Sequence, residues 1–305
     1  MERYAGSPSW GRYRALLAQR AGLVLETEPE EHEQQLRGHR LHLDRWRPAA
    51  TPGGTVILVH GGGGNGRVLA PFARLATVAG WEAVAPDLPG YGLTRPAIDF
   101  RGDYGEWPAV VAELAARTAG PVVLAGFSVG GLTALLAAQP APSVRGVIAS
   151  TLLDASDPEA FARASRWPRL ARPLLPLLRS LPAGLDGWTA PLALAAPLRA
   201  MTADPDLQQW FLEDPLLGGL RIPVRFLRTL HQTGLADEVL PCPLLLAHPG
   251  ADAWTPIELS RRTFDRLRGP KRLRILTNGS HLPLEQPAFD ELRAEIVRFL
   301  APLSG

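Results

Sequence analysis

Short apolar runs alternating with segments of helical spacing constrain this chain more than any other feature. Thr55–His60 (TVILVH) and Pro121–Phe127 (PVVLAGF) are short and apolar, as strands buried on both faces must be, and Trp81–Pro86, Val144–Ser150 (VRGVIAS), Cys242–Ala247 and Leu273–Thr277 read as further strands. Helical spacing fills the intervals at 66–79, 103–118, 129–138, 256–267 and 288–300. Strand–helix alternation with short loops implies a parallel sheet covered by helices on both faces. Ahead of it, Gln35–Trp46 alternates apolar and polar residues around Gly38, which predicts a half-exposed β-hairpin with His32, His39 and His42 facing solvent. A helix is expected at Trp10–Gln19. From about 153 to 240 the strand signal disappears, and proline breaks a Leu-, Ala- and Arg-rich stretch into short helical pieces. This divides the chain into an α/β core, 1–152 with 241–305, and an inserted helical cap, 153–240.

Composition excludes several classes. With 46% hydrophobic and 20% charged residues among 305, the chain can bury a core and is not generally disordered. The single cysteine, Cys242, allows neither an intramolecular disulfide nor a cysteine zinc site. The pI near 9.0 accompanies a net charge of only +2, and the arginines form no basic stripe interleaved with aromatics, so no nucleic-acid partner is expected. No apolar run reaches the ~18 residues of a membrane span. Arg3, Arg12, Arg14 and Arg20 interrupt the first residues, which therefore do not resemble a signal peptide. A soluble cytoplasmic protein is expected, and no amphipathic basic helix stands out as a lipid-binding element.

The sharpest chemical signal is Gly126-Phe127-Ser128-Val129-Gly130. With 11 serines and 30 glycines a chance G-x-S-x-G is expected about 0.1 times, so its setting matters more than its presence. It follows a buried strand and opens a helix, the context of a nucleophile elbow. A serine hydroxyl needs a base. His281, in Asn278-Gly279-Ser280-His281, follows the last strand and shares the sheet edge of Ser128. Asp252, in His248-Pro249-Gly250-Ala251-Asp252, follows the preceding strand and is the expected orienting acid, with Asp154 as its rival. His60–Gly66 (HGGGGNG) ends a strand with backbone that a ligand can approach, so Gly62 and Val129 are the expected oxyanion donors. A phosphate-binding reading of that loop lacks the Gly-Lys-Ser/Thr that should follow. His60 reads as a structural strand-end residue, His248 as packed behind its loop, and His231 as at most a pocket-lining residue. Asp87-Leu88-Pro89-Gly90-Tyr91-Gly92 reads as a rigid turn at the site rim, and Glu285 as a surface charge.

Together the HGGGGNG, DLPGYG, GFSVGG and paired HPGAD and NGSH segments resemble the α/β-hydrolase fold, over roughly residues 35 to 300. The resemblance implies a mostly parallel eight-stranded sheet and is nearest to capped esterases and monoacylglycerol-lipase-like serine hydrolases. Asp214-Pro215-Leu216 is similar to a segment of such lipase caps. Carried over, it makes Ser128 the nucleophile, His281 the base and acid, Asp252 the orienter, and Gly62 with Val129 the oxyanion hole, with no cofactor and no metal. Serine at 128 departs from the aspartate nucleophile of haloalkane dehalogenases and epoxide hydrolases. The glycine run resembles an HGGG esterase branch that GFSVGG does not follow.

The expected reaction is hydrolysis of a small-molecule carboxylic ester with an apolar portion. Thioesterase, amidase and carbon–carbon hydrolase activities share the triad, and a non-hydrolytic binding or biosynthetic role shares the scaffold. Phe161, Trp167, Trp188, Trp210 and Phe211 supply the cap with apolar bulk, more as its own core than as pocket wall. Oligomeric state is not legible.

Overall fold

The computed structural model describes residues 2–235 and 239–304. Met1, Ala236, Asp237, Glu238 and Gly305, which fall within the expected core and cap ranges, lie outside the described residues. The strands are β1 (Glu30–Leu36), β2 (His39–Trp46), β3 (Thr55–Val59), β4 (Glu82–Pro86), β5 (Val122–Gly126), β6 (Val144–Ala149), β7 (Thr189–Pro191), β8 (Arg221–Pro223), β9 (Leu244–Pro249) and β10 (Lys271–Leu276). The helices are α1 (Pro8–Leu16), α2 (Ala70–Val78), α3 (Glu106–Arg117), α4 (Val129–Ala138), α5 (Pro158–Ala164), α6 (Pro168–Ser180), α7 (Leu192–Ala195), α8 (Pro205–Glu213), α9 (Val224–Gln232), α10 (Ile257–Arg266) and α11 (Ala288–Leu300).

Eight strands form one sheet in the order β1-β2-β4-β3-β5-β6-β9-β10. The pairs from β4 to β10 are parallel, and β2 joins β4 and β1 antiparallel. Every residue of β3, β5 and β9 is buried. Successive side chains point to opposite faces, so both faces of the sheet centre are covered. Helix α2 packs with α11, and α3 with α4, as the covering layers. Because the strands are parallel, the loops after β5, β9 and β10 leave the same edge of the sheet, which brings Ser128, Asp252 and His281 to one end.

Two expectations need correction. The hairpin is not half exposed throughout: β1 is the exposed edge, but six of the eight residues of β2 are buried. His39 and His42 are each only 1% exposed, whereas the His32 side chain remains solvent-facing. The physical reason lies in distant segments: the residues ahead of β1 fold back over His42, with the Tyr4 ring 5.1 Å from its ring, while Phe100 and α3 cover His39. Tyr4 and Trp10 lay their rings 4.9 and 4.6 Å from the Arg67 guanidinium, and His42 meets Glu31 at 2.9 Å. His39 meets Glu106 at 3.1 Å and accepts the Ala97 amide. The second correction lies between β6 and β9, where five helices are joined by a short antiparallel ribbon, β7–β8. Its strands have three residues each, too few for a readable alternation. No helix among the described residues is long and apolar enough to cross a membrane.

Arg67 is the central charge beneath the N-terminal segment. Its guanidinium donates to both Asp44 oxygens, at 2.6 and 2.8 Å, and lies 3.0 Å from Glu31. Glu31, His42 and Asp44 bring donor atoms within 4.8 Å of one another, a grouping that could hold a metal ion. Arg67 already supplies the positive charge those carboxylates require. Replacing Arg67 with Met leaves Asp44 and Glu31 buried without their cation, and an expected loss of about 3–5 kcal/mol follows in urea unfolding. Arg12 and Glu213 also pair at 2.7 Å, but both side chains are about half exposed. Arg12→Met is expected to cost under about 1 kcal/mol in the same measurement.

Candidate active site

Ser128 is the junction of β5 and α4, at φ 57° and ψ −130°. A non-glycine residue there is strained, and surrounding packing must enforce it. A Cβ on Gly126 would lie 2.0 Å from the Gly130 carbonyl oxygen, and one on Gly130 would lie 2.2 Å from that of Val59. A Cβ on Gly131 would lie 2.1 Å from the Thr151 carbonyl oxygen. The three glycines therefore let strand and helix cross at contact distance and push Ser128 up into the turn. The Ser128 amide donates to Ser150 Oγ at 3.1 Å, a tie the sequence does not reveal.

Asp252 and His281 meet at 2.8 Å, Oδ2 to Nδ1, and both are buried. A carboxylate only accepts, so Nδ1 carries the proton and Nε2 is left basic. His281 Nε2 is buried and has no hydrogen-bond partner among the described residues. The Trp254 and Thr255 amides donate to Asp252 Oδ1 at 2.8 and 2.9 Å, and the Thr255 hydroxyl donates to Oδ2 at 2.8 Å. Burial raises the Asp252 carboxyl, but the His281 ring and the Thr255 donors outweigh it and hold it at about 2. The Trp254 ring lies 4.5 Å from the His281 ring and limits its rotation. Trp254 and Thr255 carried no signal in the sequence beyond standing just after Asp252.

The rival acid is engaged elsewhere. Asp154 accepts from the Ser156 amide and hydroxyl and pairs with Arg266 at 2.6 Å. Glu285 is not a free surface charge: it accepts from the Ser280 amide and hydroxyl, bracing the residue before His281. Asp87 holds a turn with more partners than the sequence suggests: the Gly66 and Leu93 amides and the Tyr4 hydroxyl. His60 is buried, accepts the Leu88 amide on Nε2 and bonds the Gly61 carbonyl through Nδ1. Burial lowers the pKa of His60, His231 and His248, favouring neutral rings. His231 bonds the Ala155 carbonyl and faces the Phe161 ring at 4.5 Å, behind the cleft wall.

A cleft of about 460 Å³ opens over Ser128. Gly62 and Val129 line it beside Ser128, and Thr255 reaches it from the Asp252 loop. The Val129 amide begins α4, where a helix leaves its N–H groups without intrahelical acceptors. A Cβ on Gly62 would meet nothing within 4 Å, so its backbone stands open. No charged side chain lines the cleft. Of the five aromatics singled out in the sequence between β6 and β9, Phe161 and Trp167 line it, Trp210 and Phe211 are buried in packing, and Trp188 is exposed; a sixth, Phe226, also lines the cleft.

Known proteins share this architecture. The monoacylglycerol lipase of Paleococcus ferrophilus superposes with a TM-score of 0.67 at 23% identity, covering 87% of this chain and 100% of that one. A soluble variant of the monoglyceride lipase of Saccharomyces cerevisiae, in complex with a substrate analog, gives 0.71 at 18% identity, covering 92% and 97%. At these identities the likeness is one of fold. In sequence, the pimeloyl-[acyl-carrier protein] methyl ester esterase of Xanthomonas oryzae pv. oryzae is 40% identical over 117 residues, 38% of this chain. Its counterpart in Stenotrophomonas maltophilia is 38% identical over 123 residues. Both matches span only 42% of those relatives' lengths. Residues 56–292 match the model described as the alpha/beta hydrolase family, which takes in the elbow, the Asp252 loop and the His281 loop together. A match of that extent, on this sheet and these loops, makes the chain a member of the alpha/beta hydrolase family.

Proposed function

We propose that the chain is a serine hydrolase that cleaves a neutral carboxylic ester with an apolar portion. Ser128 is its nucleophile, His281 its base and acid, Asp252 the orienting carboxylate, and the Gly62 and Val129 amides its oxyanion donors. The observation that carries this reading is the buried 2.8 Å Asp252–His281 pair, whose free Nε2 shares a sheet edge with a strained Ser128. The uncharged cleft supports a neutral acyl or alcohol group. Relatives named as methyl ester esterases support an ester over an amide. In the same proposal, 1–152 with 241–305 are the catalytic core and 153–240 the cap, a division supported by cleft residues drawn from both stretches.

The steps follow from the geometry. Nε2 of His281 takes the Ser128 hydroxyl proton as Oγ attacks the ester carbonyl carbon. The carbonyl oxygen gains negative charge, and two preorganised amides lower its energy beside the apolar cleft walls. The C–O bond breaks, and the alcohol leaves with the proton from Nε2. A water gives its proton to Nε2 and adds to the acyl-enzyme, and Oγ departs with that proton. Asp252 stays ionised throughout and stabilises the imidazolium at Nδ1. These steps call on no metal or cofactor.

A fluorophosphonate is expected to add once to the wild-type protein by intact mass, and not at all to Ser128→Ala. Turnover of p-nitrophenyl esters should fall at least about a thousandfold in that variant. An adduct of equal yield on Ser128→Ala would reassign the nucleophile.

Asp252→Asn tests the pair itself. Its native pKa of about 2 lies below the ordinary 3.8, so its ionised form stabilises the fold above 3.8. That contribution is lost as pH falls from 3.8 through 2. Unfolding free energy measured across this window should fall less steeply for Asp252→Asn than for wild type. Ester turnover in the variant should drop by orders of magnitude at neutral pH, because the tautomer with a basic Nε2 loses its support.

A further inference from the structure

Helix α6 carries large apolar side chains into solvent. Leu170, Leu174 and Leu177 are 61, 55 and 59% exposed, and Trp167, just ahead of the helix, is 54% exposed. The three leucines recur at i, i+4 and i+7, so they form one stripe along the helix. Trp167, Leu170 and Leu174 also line the cleft over Ser128, so the outer apolar surface runs into the cleft mouth without a polar break. Leu194, 58% exposed and also lining the cleft, lies beside it, because Arg166 bonds the Ala193 and Ala195 carbonyls.

The charge on this element has one sign. From Ala160 to Leu185 there are five arginines, Arg163, Arg166, Arg169, Arg172 and Arg179, and no Asp or Glu. All five are exposed. Arg172 pairs with Glu159 at 3.0 Å, while Arg163, Arg169 and Arg179 have no ion pair among the described residues. The sequence hid this basic amphipathic helix because Pro173 and Pro176 read as breaks, yet the helix runs through both. The expectation that no such helix stands out is therefore corrected.

We propose that α6 docks on an anionic lipid surface, with Leu170, Leu174, Leu177 and Trp167 entering the acyl boundary and the arginines at headgroup level. Charge complementarity selects this occupant. A second copy meeting the same face about a two-fold axis would set arginines against arginines. A basic flank on an exposed apolar stripe gains from both anionic headgroups and apolar burial. The surface does not rest on the function proposed for Ser128. If both hold, an apolar ester passes from lipid to cleft without crossing water.

Sedimentation with phosphatidylcholine vesicles, with and without phosphatidylglycerol, tests it on the full chain. Binding is expected only with phosphatidylglycerol and should weaken as salt rises. Leu177 and Arg169 do not line the cleft, so Leu177→Asp and Arg169→Glu separate docking from catalysis. Each should weaken vesicle binding at least about fivefold while circular dichroism and fluorophosphonate labelling stay as in wild type. No binding to either vesicle, or binding that both variants retain, overturns the proposal. So does a wild-type dimer in sedimentation that Leu177→Asp makes monomeric, which would assign the face to a second copy. Binding of a purified acyl carrier protein through these residues, without vesicle binding, would assign it to an acidic protein and overturn it equally.

Discussion

The close crossing of β5 and α4 is the constraint on which the rest of the site depends. Three glycines within six residues lack the Cβ atoms that would hold α4 away from β5, from the end of β3 and from Thr151 after β6. The approach is so tight that Ser128 takes a backbone conformation few non-glycine residues adopt. Strain of this kind persists only where the surroundings over-determine it. Here they do: β5 is buried along its whole length, and the Ser128 amide is tied to Ser150, just past the end of the next strand. The sheet thus acts as a rigid base that lifts one hydroxyl above its edge.

Around that hydroxyl the protein separates two environments. Behind His281 the surroundings are polar and fully engaged: Asp252 receives two amides, a hydroxyl and the ring itself. In front, the cleft walls are apolar and uncharged. Buried donors aimed at a carboxylate keep it ionised without water, while an apolar wall strengthens any charge–dipole interaction formed in the cleft. The division explains how a buried acid can have a low pKa while the cleft beside it suits neutral groups.

The segment ahead of the sheet joins two parts of the molecule. Tyr4 and Trp10 cover Arg67 on the core side, while the Tyr13 ring stacks on Trp210 of α8 at 4.1 Å. Ser9 and Arg12 reach Asp214 and Glu213 at the end of α8. Helix α8 of the 153–240 stretch is thereby anchored to the N-terminal segment. Helix α6 of the same stretch lines the cleft with Leu170, Leu174 and Leu175 and also presents an apolar stripe and exposed arginines to solvent.

Much of the core was legible because its signals are local. Buried parallel strands leave unbroken apolar runs, so α4 and α11 begin and end where the pattern predicts and the strands shift by only one or two residues. Ser128, Asp252 and His281 could be chosen because parallel topology sends the ends of β5, β9 and β10 to one edge whatever the loop details. Tertiary structure alone decided the rest. Asp252 and Asp154 both follow strands; the G-x-D segment favours Asp252, but the path of each loop is what gives one to His281 and the other to Arg266. His39 and His42 look exposed in an alternating hairpin, but Phe100 and Glu106 far downstream cover the first and Tyr4 far upstream covers the second. The α6 stripe was hidden by prolines whose cost the helix absorbs. Periodicity and motif spacing are properties of neighbours along the chain; burial, partner choice and exposure depend on what distant segments bring near, and no local pattern encodes that.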